Sequence, residues 1–302
     1  MPRDTNRPSR KRRRRADFDG AWKEALRRHF WGFLEILFPE VAAEVDGTGP
    51  VVFLDKELRA VSRKAKEGRR HADVFVRVSL KSGVKQLLFL HVEVQNEPDP
   101  LFPRRMFGYN HRLADLAGED VLSLAILADG QPRWRPDHYE REWLGCRLWF
   151  GFPVAKLLEM RGRRAELRTR GAAGLVILAQ LDAIECRRQP AELRERKFAL
   201  IRGLYGAGVS REEVQAMYEL IDWMISLPDL EEDRLLRQIE EHEAAIAMPY
   251  ITSAERIGIE RGIERGIERG LREGILETLR VRFGVVPSGL EERILGVDGA
   301  DR

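Results

Sequence analysis

Apolar residues recur at helical spacing from Phe18 to Phe38: Trp22, Ala25, Leu26, Phe30, Phe33, Leu34 and Leu37. This spacing predicts one amphipathic helix that Pro39 closes. Residues 44–49 read as a turn-rich break, and residues 51–54 as a short strand. From His71 to Leu80 the period changes to two. Ala72, Val74, Val76, Val78 and Leu80 face one way, and Asp73, Phe75, Arg77 and Ser79 the other. Lys81 to Val84 is a turn signal, and Gln86 to Gln95 is the next predicted strand. Pro98 and Pro100 end that strand, and residues 101–117 return to helical period. Val121 to Ala128 is a short apolar strand closed by Asp129 and Gly130. A Pro-rich loop with tryptophans follows, and then a strand over residues 146–154. Residues 172–250 are predicted helical, with boundaries at Pro190 and Pro228. Helix, strands, helix, strand, then helices describe an α/β core followed by a helical region.

The second long strand carries an anomaly. Gln86 to Leu90 is almost continuously apolar, yet His91, Glu93 and Gln95 then place polar groups on one face. The simpler reading is a strand end running into solvent before Asn96-Glu97-Pro98. The alternative depends on register. A three-residue loop at Ser82-Gly83-Val84 pairs Lys81 with Lys85 and sets Asp73 opposite Glu93, with Cβ atoms about 4.5–5.5 Å apart. A two-residue loop slips the register by one and turns Glu93 to the other face. Two carboxylates that close recruit a cation or shift a pKa. Oxygen ligands of this type suit Mg²⁺ or Mn²⁺, an ion that can activate water and offset charge on a phosphoryl group.

The chain has 302 residues, 43% of them hydrophobic and 33% charged, with a net charge of only +3. Bulk charge therefore says little about partners, and its distribution says more. Arg10, Lys11, Arg12, Arg13, Arg14 and Arg15 form a basic run inside a 1–16 arm with almost nothing to bury. The arm is expected to be disordered and either to bind nucleic-acid phosphates or to act as a solubilising tail. Cys146 and Cys186 form no CxxC pair, so neither a disulfide framework nor a zinc site is expected. No apolar run is long enough for a membrane span, and no apolar segment follows the basic N-terminus as in a secretory signal. A reducing cytoplasm is the expected location.

Arg105 and Tyr109 are four apart and share a helix face after the strand that bears Glu93. Arg105 there can hold a phosphate and Tyr109 a sugar or water. Equally, the pair is an arginine lying over a packed tyrosine. Trp134, Trp143 and Trp149 can stack bases, although packing beneath the loop is the preferred reading. His29, His71, His111, His138 and His242 have no metal-ligand spacing. Ser210 followed by Glu213 is a capping box, which makes Gly206 to Ser210 a turn before a helix rather than a phosphate loop.

Several blocks, in order, carry a resemblance: "FLDKEL", "HADVFV", "LFLHVEVQ", "DPLFPRRMFGYNHRL", "LSLAILAD" and "MPYITSAERIGIE". Over roughly residues 18–285 the chain resembles the PD-(D/E)XK nuclease family transposases, also called recombination-promoting nucleases or putative transposases. The resemblance implies a restriction-endonuclease-like core, a mixed central sheet flanked by helices. It implies Mg²⁺-dependent (or Mn²⁺-dependent) hydrolysis of DNA phosphodiesters, linked to recombination, mobile elements or defence. Carried over by motif, Asp73 and Glu93 are the metal-binding acids. Gln95, which would position water, stands where most of the superfamily has lysine, and it brings no charge. The family's first-helix acid falls on Glu24 or Glu35, and an acid there is otherwise an ordinary solvated helix face. The alternative function is a DNA-binding or assembly protein whose nuclease site is weak or dead.

The expected organisation is a basic arm (1–16), a nuclease-like domain (17–160), a helical region (161–250), a repeat helix (251–284) and a tail (285–302). In the repeat, glycines recur every four residues from Gly258 to Gly274, beside a stripe of Ile259, Ile263, Ile267, Leu271 and Ile275. Each glycine costs a helix about 1 kcal/mol relative to alanine. A helix so burdened either frays as a tail or meets a partner, and self-association of this chain through 251–284 is the favoured expectation.

Overall fold

The computed structural model describes residues 18–55, 74–81, 87–205, 210–248, 250–251 and 279. The chain divides into two compact units, Met1–Leu235 and Leu236–Arg302. The first is mixed α/β. Three short helices open it, α1 (Phe18–Arg28), α2 (Phe30–Leu37) and α3 (Pro39–Glu44). The single helix expected over 18–38 is thus two, broken at His29, whose φ of −128° and ψ of 33° leave the helical region. Pro39 ends α2 as expected. It also opens α3 from the first helical turn, where its missing N–H costs nothing.

The strands β1 (Val52–Phe53), β2 (Val74–Ser79), β3 (Leu87–Gln95), β4 (Val121–Leu127) and β7 (Val154–Lys156) form one sheet in the order β1-β2-β3-β4-β7. The first three are antiparallel, and β3, β4 and β7 run parallel. The sheet is therefore mixed and flanked by helices. Helix α4 (Phe102–Ala117) makes the crossover from β3 to β4. Asp99 starts α4 by accepting the Leu101 N–H at 2.9 Å. Gly118 ends it at φ 68°, a left-handed C-cap that suits glycine.

Period-two patterning fixes which side each strand residue faces. Phe75, Phe89, His91, Glu93, Gln95, Ala125 and Leu127 share the side on which α4 packs. Phe75 and Phe89 there meet Tyr109 and Leu113, and Ala125 and Leu127 meet Phe102 and Met106. Val74, Val76, Val78, Leu90, Val92 and Val94 face the other way, and all are buried. At the end of β4, the Trp22 indole N–H bonds Gln180 at 3.1 Å, and the Gln180 amide bonds the Ala128 carbonyl at 2.9 Å. Gln180 lies on α6 (Gly171–Glu185), so α1, α6 and β4 are tied at one point.

Two strands depart from the sequence reading. Residues 138–143, expected as loop, are β5 (His138–Trp143), paired with β6 (Cys146–Gly151) in a separate two-stranded sheet. The strand expected over 146–154 is split between β6 and β7, because the chain leaves the hairpin at Phe152-Pro153 to join the central sheet. The hairpin turns at Leu144 and Gly145, both at positive φ, as a two-residue loop requires. Tyr139 and Phe150 root it on Phe107 of α4. Packing beneath a loop holds for the half-buried Trp134 but not for Trp143 and Trp149, which stand 72% and 69% exposed on the hairpin.

After β7 come a 3₁₀ turn (Leu157–Arg163), α5 (Arg164–Arg168), α6, α7 (Pro190–Tyr205), α8 (Arg211–Met224) and α9 (Asp229–Ile246). Pro190 and Pro228 mark helix starts as expected. The Ser210–Glu213 capping box forms in both directions, at 3.2 Å and 2.9 Å. In the second unit, the Glu243 carboxylate accepts the Ile251 N–H at 2.5 Å. The 1–16 arm, nearly all of the 251–284 repeat and the 285–302 tail lie outside the described residues.

Candidate active site

The pairs from Val74↔Val92 to Ser79↔Leu87 run in the register that the three-residue loop requires. In this register Glu93 faces α4, with His91 and Gln95 beside it. Asp73, the residue before Val74 in sequence, lies outside the described residues.

Glu93 and Gln95 do not run out into solvent. Glu93 is 0% exposed and Gln95 5%. The solvated strand end is therefore excluded, and a buried carboxylate needs a partner. Arg105 provides one. It sits in the first turns of α4 with its side chain 7% exposed. Its Nη2 donates to Gln95 Oε1 at 2.6 Å, its Nη1 to Asp99 Oδ2 at 2.5 Å, and its Nε to Glu93 Oε1 at 3.3 Å. The guanidinium also lies over the Phe102 ring, 5.2 Å from its centroid. Gln95 Nε2 donates to the Glu97 carbonyl at 2.5 Å, so both ends of this amide are engaged.

A polar chain continues behind Glu93. His91 Nε2 lies 3.6 Å from Glu93 Oε2, and His91 Nδ1 lies 3.3 Å from Ser123 Oγ. Asn110 Nδ2 donates to that same Ser123 oxygen at 3.2 Å and to the Val121 carbonyl at 2.5 Å. Burial, then the nearby Arg105 charge, pushes the His91 pKa down to about 3. His91 is thus neutral near neutral pH, and its contact with Glu93 is not an ion pair.

Of the residues singled out in the sequence, Glu93, Gln95 and Arg105 come together. Tyr109 lies one turn further along α4. It is buried with Phe75, Phe89 and Leu113, and its ring meets His91 edge-on at 5.6 Å. Glu24 is partly exposed on α1 and ion-paired with Arg28 at 2.6 Å, and Glu35 is exposed on α2. Arg12, Arg13, Arg14 and Arg15 lie outside the described residues. Sequence reasoning missed Asp99, Asn110 and Ser123, none of which stands in a pattern of its own.

A second buried charge pair stands in the same row of the sheet. Gln95 pairs with Leu127, and Leu127 with Lys156. The Lys156 ammonium bonds Asp129 at 2.5 Å and the Trp134 carbonyl at 3.1 Å, with both charged side chains 1% exposed. The carboxyl ends of three adjacent parallel strands thus hold Glu93, Gln95, Asp129 and Lys156, at the edge of the sheet where α/β folds bind ligands.

Compared with known protein families, curated proteins and solved structures, the chain matches none. No helix among the described residues is long and apolar enough to cross a membrane.

Proposed function

We propose that this protein is a divalent-metal-dependent DNA endonuclease with a restriction-endonuclease-like core. The observation that carries the reading is Glu93: a carboxylate buried at the carboxyl end of a parallel strand, with an arginine and an amide in reach. Burying a carboxylate costs free energy even when it is paired, and such groups concentrate at functional sites. The β2–β3 register supports Asp73 as its partner, since Asp73 and Glu93 each stand one residue beyond the Val74↔Val92 pair.

Carboxylate and amide oxygens are hard donors that suit Mg²⁺ or Mn²⁺. Among the described residues no group of three His, Cys, Asp or Glu side chains is arranged to hold a metal. The second acid of this reading is therefore Asp73, with water and a substrate phosphate completing the shell. A bound Mg²⁺ would lower the pKa of water and offset phosphoryl charge. Arg105 would hold a non-bridging phosphate oxygen, and Gln95 would orient the attacking side. In the hydrolysis, the water oxygen forms a bond to phosphorus and the bond to the leaving oxygen breaks. One water proton leaves to base or solvent, and the leaving oxygen is protonated, giving a phosphomonoester and a hydroxyl. Supercoiled plasmid incubated with the full chain should be cut in Mg²⁺ and left intact in EDTA. Equal cutting in both, or none in either Mg²⁺ or Mn²⁺, would remove this reading.

The basic arm has a separate role in this scheme, as a non-specific phosphate contact. Deleting residues 1–16 should weaken DNA binding and flatten its dependence on salt, since each phosphate contact contributes about 0.9 to the log–log slope. An unchanged slope would assign the arm to solubility.

One observation favours a second reading, an assembly or DNA-binding protein with a weak site. The Gln95 amide is engaged by Arg105 and by the Glu97 carbonyl, which reduces its capacity to place a water. Function would then lie in the arm and in self-association through 251–284. Light scattering of the full chain and of a chain ending at Met248 measures that. Loss of assembly on truncation is expected, and two monomers at tens of micromolar would end the idea.

A further inference from the structure

We propose that Arg105 is the fixed cation of this site, aimed by Asp99 and Gln95, and that its charge stays beside Glu93 when Glu93 binds a metal. This rests on the reading above for its effect on cleavage, but not for its effect on metal affinity. The distances separate anchors from neighbour. Asp99 and Gln95 hold the guanidinium at 2.5 Å and 2.6 Å, whereas its contact with Glu93 is 3.3 Å, the long end of hydrogen bonding. If Glu93 turns toward an ion, Arg105 keeps its two short bonds.

The support beneath it is built. One carboxylate, Asp99, accepts the Leu101 N–H through Oδ1 and the Arg105 Nη1 through Oδ2. The same side chain thus fixes the first turn of α4 and the arginine that rises from it. The Arg105 N–H in turn donates to the Leu101 carbonyl at 2.9 Å. On the other side, Gln95 is oriented by its bond to the Glu97 carbonyl, so its oxygen points at Nη2. Gln95 is neutral and holds the guanidinium at its tip. The positive charge a reacting phosphate would meet at the Gln95 end of β3 therefore belongs to Arg105. Asp99 and Gln95 are its positioning residues.

A fixed positive charge beside a metal ligand carries two opposite consequences. It repels the metal, and it stabilises negative charge gathering on the phosphate. Arg105→Gln should therefore tighten Mn²⁺ binding, measured by calorimetry on the full chain, by about tenfold or more. The same change should slow plasmid cleavage by about a hundredfold. Adding Gln95→Lys to Arg105→Gln returns a charge to the same place and should bring both quantities back toward wild type. A merely structural role for Arg105 would not be rescued by moving its charge from α4 to β3.

Mn²⁺ affinity in Arg105→Gln that is unchanged or weaker, or a double variant that still behaves as Arg105→Gln, would overturn the proposal. So would a wild-type chain that binds no Mn²⁺. Should Arg105→Gln fail to fold, Arg105→Lys decides: charge kept at that position should leave Mn²⁺ affinity near wild type, and a tenfold change would overturn it. A wild-type chain that binds Mn²⁺ but cuts no DNA defeats the nuclease reading alone, and the affinity shifts still decide the role of Arg105.

Discussion

Glu93→Ala should lower plasmid cleavage by at least about a hundredfold while leaving a folded protein. The two halves of this expectation have different causes. The catalytic loss follows from removing the carboxylate proposed to hold the metal. His91 and Gln95 flank it on β3 but bring no negative charge to offset that of the ion. The fold should survive because Arg105 retains Asp99 and Gln95 when Glu93 is gone, so its buried charge is still compensated. The check is cleavage rate in Mg²⁺ beside a denaturation curve for the same preparation. A folded Glu93→Ala protein that cuts at the wild-type rate would take Glu93 out of the chemistry.

The largest stability effect is expected at Asp129. Asp129→Ala leaves the Lys156 ammonium buried with, among the described residues, the Trp134 carbonyl and ring near it. Removing one partner of a buried ion pair costs about 3–5 kcal/mol, because the survivor keeps its desolvation penalty. Its position matters as well, since Asp129 follows β4 and Lys156 ends β7, so the pair joins the two strand ends. Asp129→Leu with Lys156→Met should recover most of the loss, as no charge then remains to be compensated. Chemical denaturation at neutral pH gives both numbers. A loss below about 1 kcal/mol for Asp129→Ala would mean that water reaches the pair.

The contrast between these two sites shows what the sequence could reveal. The polar row His91, Glu93, Gln95 is visible because a period-two pattern breaks inside an apolar strand. Register was left between a three-residue and a two-residue turn, and the described pairs agree with the three-residue count. An α/β core followed by helices was also legible, from the order of periodic segments, whereas the mixed character of the sheet was implied only by the family resemblance. The Asp129–Lys156 pair was not. Its members stand 27 residues apart, and each looks like an ordinary charge at a strand end.

The β5–β6 hairpin escaped for a different reason. Tyr139 and Phe150 anchor it on Phe107 while the rest of the hairpin is largely exposed, so it shows little apolar periodicity, and its turn is Leu-Gly rather than Asn-Gly. Arg105 and Tyr109 illustrate a subtler limit. Spacing by four correctly gives one face of α4, but that face passes over different ground. Tyr109 lies over Phe75 and Phe89, deep in the sheet, and Arg105 lies one turn earlier, over the polar end of β3. Shared face is legible in a sequence; depth along the partner strand depends on how the helix docks. Asp99 offered no signal, since a single acid between two prolines reads as a turn residue.

The most direct measurement is the position of Mn²⁺ in crystals of the full chain, located by its anomalous scattering. The expected result is an ion within about 2.3 Å of a Glu93 carboxylate oxygen, with Arg105 still bonded to Asp99 and Gln95. Crystals grown in millimolar Mn²⁺ with no ion at Glu93, and with Arg105 as its sole cation, would contradict the assignment of Glu93 as a metal-binding acid.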